Sequence, residues 1–118
     1  MLKRLIAVAL ALFLASPAAA QTVAQTTNSS VAIATGNTFQ TVLTAVTGTN
    51  QRRSLTIQNN QTTTDNCWIF IGAGAATKGT SILLAPGQSY TRYYPYIPSD
   101  AIQATCASTA DTLYVDIQ

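Results

Sequence analysis

From about residue 31 onward the chain alternates apolar and polar positions, as strands do when one face is buried and the other wet. Arg52 to Gln58 is the clearest case, with Leu55 and Ile57 interleaved by Ser54, Thr56 and Gln58. Thr112 to Ile117 repeats the pattern and turns Leu113, Val115 and Ile117 inward. Thr38 to Val46, with Phe39, Val42 and Leu43 among threonines, predicts a further strand. Cys67 to Ile71 is an unbroken apolar run of strand formers, which suits a strand covered on both faces. Ser81 to Leu84, Ser89 to Tyr94 and Ala101 to Cys106 complete the set.

Turn chemistry separates these runs. Asn59 to Asn66 is wholly polar, and Gly72 to Gly79 is a loop of small residues. Pro86-Gly87 fits the centre of a type II turn, because proline fixes one φ and glycine accepts a positive one. Pro95 and Pro98 forbid a central strand between them. Seven or eight short strands with no amphipathic helix predict a small all-β domain. The expected architecture is an antiparallel β-sandwich, jelly-roll-like or Ig-like.

The first twenty residues have a different character. Lys3 and Arg4 precede the apolar stretch Leu5 to Leu14, Ser16-Pro17 breaks it, and Ala18-Ala19-Ala20 offers a small-residue cleavage site before Gln21. This is the pattern of an export signal. The stretch is about half the ~20 residues that a membrane-spanning helix needs. The expected organisation is a signal peptide at 1–20, a polar flexible arm at 21–30 and one β-sandwich domain at 31–118. The processed protein would be periplasmic or extracellular, with no membrane span.

Removing the leader changes the charge balance. The formal charge is +2, but Lys3 and Arg4 lie in the leader. The remainder of the chain carries Arg52, Arg53, Lys78 and Arg92 against Asp65, Asp100, Asp111 and Asp116. No basic surplus remains for a phosphate backbone, so no nucleic-acid partner is expected. Cys67 and Cys106 are the only cysteines, and in an oxidising compartment an even pair reads as a disulfide. Closing so long a loop stabilises by roughly 4 kcal/mol in the chain-entropy model. Whether the bond lies within one sheet or between two is open at this point.

Candidate chemistry is sparse. The chain has no His and no Glu, the groups most readily tuned for proton transfer near neutral pH. Gly72-Ala73-Gly74-Ala75-Ala76-Thr77 follows a strand but leads into no helix that could hold a dinucleotide phosphate. No catalytic residue, metal ligand or cofactor is assigned. Arg52-Arg53 reads as a solvated strand start that discourages stray pairing. The cluster Tyr90, Arg92, Tyr93, Tyr94 and Tyr96 is the best candidate for a binding surface. Tyrosine and arginine anchor protein interfaces, and tyrosine rings also stack on sugars.

Several segments together resemble small virion modules of phages. They are Arg52-Arg53-Ser54-Leu55-Thr56-Ile57-Gln58-Asn59-Asn60, the strand Trp68 to Gly72, and Leu84-Ala85-Pro86-Gly87-Gln88-Ser89-Tyr90. Ile97-Pro98-Ser99-Asp100-Ala101-Ile102 and the final strand Leu113 to Ile117 extend the likeness over roughly 51–118. The resemblance implies a β-sandwich accessory protein of a phage head or fibre, structural and without catalysis. The export signal and the cysteine pair depart from that pattern. The sequence thus supports two expectations. One is a structural or surface-display module that meets copies of itself or a larger assembly. The alternative is an exported glycan-binding module using the tyrosine-rich strand.

Overall fold

The computed structural model describes residues 27–48 and 51–118, so the leader read at 1–20 and the first part of the arm lie outside the described residues. Eight strands form: β1 (Thr27–Ala32), β2 (Gln40–Leu43), β3 (Ser54–Asn59), β4 (Cys67–Ile71), β5 (Ile82–Leu84), β6 (Ser89–Tyr93), β7 (Ile102–Cys106) and β8 (Thr112–Ile117). The single helical turn among the described residues is a 3-10 turn at Lys78–Thr80. Two four-stranded sheets result, β1-β8-β3-β6 and β2-β7-β4-β5, and every pairing is antiparallel.

The topology follows one rule. β1 pairs with β8, β2 with β7, β3 with β6 and β4 with β5, as if one long hairpin ribbon had been formed first. Rolling that ribbon brings β3 beside β8 and β4 beside β7, which closes it into two stacked sheets. This is a jelly roll, and it decides between the two sandwich types that the strand count allowed.

The core follows from the alternation. Leu55 and Ile57 on β3, with Leu113 and Val115 on β8, face Cys67 and Ile69 on β4 and Ile102, Ala104 and Cys106 on β7. Ile33 and Leu84 close the cluster. Each large aliphatic chain buried this way contributes about 1.5–3 kcal/mol. Cys67 and Cys106 are directly opposed on β4 and β7, their Cα atoms 4.0 Å apart, and the disulfide joins them within one sheet.

Two predicted boundaries move. Residues 27–30, read as arm, belong to β1. Their side chains are all exposed and carry no hydrophobic signal, and the strand exists because its backbone pairs with β8. β2 is shorter than Thr38 to Val46 because its register shifts between Thr41 and Leu43, a bulge that ends regular pairing. The apolar run of β4 is covered on both sides as expected, though unequally. Cys67 and Ile69 face the core, while Trp68 and Phe70 lie half-buried on the outer face. There the Lys78 ammonium sits 4.0 Å from the Trp68 ring centroid, and the loop glycines Gly72 and Gly74 pass against Phe70.

Candidate functional site

One end of the sandwich gathers the ends of β2, β4, β6 and β8 with the starts of β3 and β7. The chain leaves β6 at Tyr93 and reverses through Tyr94 and Pro95, joined by a cis peptide, and the Tyr96 N–H donates to the Tyr93 carbonyl at 3.0 Å. Beside this bend runs the segment that carries Gln51, Arg52 and Arg53 into β3. A depression of about 170 Å³ lies between them, with Gln51, Arg52, Tyr94, Pro95 and Ile97 among its walls. A broader groove of about 510 Å³ adjoins it, and its described walls are Gln51, Arg52, Arg53 and Tyr94.

Arg52 holds this end together. It is only 6 % exposed, contrary to the solvated strand start expected of Arg52-Arg53. Its Nη1 donates to the carbonyls of Pro98 at 2.7 Å and Asp100 at 3.1 Å, and its Nη2 donates to the carbonyl of Thr44. The segment after β2 and the segment before β7 are thereby tied to one planar donor group, a use of the guanidinium fork that lysine could not reproduce. Nε is buried without a partner. Burial lowers the Arg52 pKa from its ordinary value, and the nearby Asp100 carboxylate opposes that shift. Arg53 is exposed, and its main chain pairs with Tyr94 and Gln118. The adjacent arginines have opposite fates.

The five residues of the predicted binding cluster separate into two groups. Tyr90 and Arg92 lie opposite Ile57 and Leu55 and share the inward-facing side of β6. Tyr90 packs against the core, and the Arg92 guanidinium stacks 4.5 Å from its ring centroid. Tyr90 is half-buried there, and Arg92 is exposed. Tyr93, Tyr94 and Tyr96 are instead 69 %, 70 % and 81 % exposed. They surround the bend and present their rings to solvent.

Two of the aspartates are drawn into the framework by Ser108, its Oγ donating to Asp65 at 2.8 Å and its N–H donating to Asp111 at 3.1 Å. Asp116 lies on the outer face of β8 between Thr56 and Asn28, and its Oδ1 is buried without a partner. Among the described residues no three His, Cys, Asp or Glu side chains come together as a metal site, and no helix is long and apolar enough to cross a membrane.

No family model, curated protein or solved structure matches the chain. Its functional reading therefore comes from its own geometry.

Proposed function

We propose that this chain is an exported, non-catalytic structural module that docks into a larger protein assembly through its aromatic end. The observation that carries this reading is the exposure of Tyr93, Tyr94 and Tyr96 around one bend. A domain gains nothing for its own core from three exposed rings. As interface residues, such rings supply large area at low entropic cost. Supporting it, Arg52, Asp65 and Asp111 are engaged in holding main chain and loops, not converging on a cavity. The jelly roll is used by viral capsid domains, which accords by fold analogy with the resemblance to phage virion modules.

The test is sedimentation of extracts from cells that export the protein. Wild type should travel with high-mass particles, and Tyr93→Ala/Tyr94→Ala/Tyr96→Ala should travel as free domain. An unchanged distribution would sink the reading.

The broader groove beside Tyr94 favours a second reading, an exported glycan-binding module. Gln51 and Arg53 there offer polar donors next to an exposed ring, the pairing that recognises sugars. A glycan-array signal lost in the same triple variant, with no particle association in wild type, would establish it instead.

A further inference from the structure

A jelly roll leaves four sheet edges, and each is a template for another strand unless something blocks it. Here β2 is bulged and β5 has only three residues, so neither offers a regular ladder. β6 is longer but guards itself. The bonds Tyr94 N–H to Arg53 and Asn59 N–H to Gln88 fix the phase of the β3–β6 ladder, so Ser89, Thr91 and Tyr93 direct their main-chain groups outward. Of these, the Thr91 carbonyl accepts from the Arg92 guanidinium at 3.1 Å, and the Tyr93 carbonyl accepts from Tyr96.

β1 has no such guard along most of its length. The Ile33 N–H donates to the Asp111 carbonyl, so the outward residues of β1 are Asn28, Ser30 and Ala32. The Gln40 side chain covers the far end, donating to the Ala32 carbonyl at 2.9 Å and accepting from the Ala34 N–H at 2.8 Å. The outward N–H and C=O groups of Asn28 and Ser30 meet no partner among the described residues. Thr27–Ala32 contains no charge and no proline, the usual means of protecting an edge.

We propose that this edge is where a second copy of the chain binds, β1 against β1 in antiparallel fashion across a two-fold axis. The strand is self-complementary in that arrangement. Centred on Ser29, Asn28 of each copy faces Ser30 of the other, all four free N–H and C=O pairs are satisfied, and the Gln40 clasp stays in place. Two four-stranded sheets become one of eight strands. No like charges meet along the paired strands, because Thr27–Ala32 carries none. This names a partner within the assembly reading above, yet it stands on different residues from the aromatic end.

The seam makes a specific prediction about cross-linking. Ser29 would face Ser29 of the second copy as a non-hydrogen-bonded pair, the closest approach in an antiparallel ladder. The Ala107 N–H to Asn66 bond shows that the Cys67–Cys106 disulfide occupies the same kind of pair. The processed protein and its variants would be examined by size-exclusion chromatography with light scattering, and by non-reducing electrophoresis. Wild type should be a dimer. Ser29→Cys should give a covalent dimer on oxidation, whereas Asn28→Cys should not. Ser30→Pro removes an outward donor without touching the β1–β8 ladder, and should weaken dimerisation at least tenfold, roughly the loss of one or two hydrogen bonds. A monomeric wild type, a dimer that survives Ser30→Pro, or a Ser29→Cys chain that resists cross-linking would each overturn the proposal. Tyr93→Ala/Tyr94→Ala/Tyr96→Ala should remain dimeric, so failure of the edge and failure of the aromatic end are read separately.

Discussion

At the end of the sandwich where β3 finishes and β4 begins, Asn59 is fully buried. Its Nδ2 donates to the carbonyls of Asp65 and Leu84, both at 2.9 Å, and its Oδ1 accepts from the Gln61 N–H. The disulfide, the Ser108 link to Asp65 and Asp111, and the close packing of Gly36 lie at the same end. A side chain at Gly36 would come within 2.8 Å of the Ser108 backbone. Among the described residues the opposite end is tied by Arg52 and by Gln103, whose Nε2 donates to the Gly72 and Gly74 carbonyls, and it carries three exposed tyrosines. Amides and carboxylates that bond to loops make one end a clamp, whereas phenol rings turned outward leave an exposed aromatic surface at the other. The difference separates two uses of polar side chains: those satisfied by main chain hold loops in place, whereas Tyr93, Tyr94 and Tyr96 stand mostly in solvent.

The costliest substitutions fall at the clamped end. Replacing Cys67 and Cys106 together by Ala should cost roughly 4 kcal/mol, read as a lowered denaturation midpoint. Next come the two staples. Asn59→Ala and Arg52→Met each strand three main-chain partners, and each should cost about 3 kcal/mol in urea unfolding at about 1 kcal/mol per lost bond. If Arg52→Met proved neutral, the aromatic end would be held by something else. Arg53→Ala, one residue on, should change stability by no more than about 0.5 kcal/mol. Smallest of all for stability are Tyr94→Ala and Tyr96→Ala, also within about 0.5 kcal/mol singly, although they should have the largest effect on particle association or sugar binding. A tyrosine variant that unfolded the domain would erase the distinction between the ends.

Much of this architecture is legible in the order of residues alone. The bounds of β4 and β8 follow directly from their patterns, and the Pro86-Gly87 turn appears as expected, with Gly87 at φ +76° and the Gln88 N–H on the Ala85 carbonyl. β1 is not legible, because a strand whose side chains are nearly all exposed has no apolar period, and only its partner reveals it. Arg52 is hidden for a subtler reason. Counting back by twos from Ile57 and Leu55 places Arg53 on the buried side, but the chain bends at Arg53 and the alternation does not carry past it. The tyrosine cluster is visible as a composition. Its division into Tyr90, packed on the core with Arg92 stacked on its ring, and an outward-facing trio depends on where β6 stops, at Tyr93.

The contact between Lys78 and Trp68 gives the molecule a built-in optical gauge. The chain has a single tryptophan, and Lys78 is the only lysine after Lys3. Their stacking couples the one indole to the one amine beside it, and that amine also reaches Asn37 in the connection from β1 to β2. Acylating the amine would remove the positive charge from the ring face and release the loop from that connection. Tryptophan emission thus reports, without any added label, whether the outer layer of the second sheet is in place.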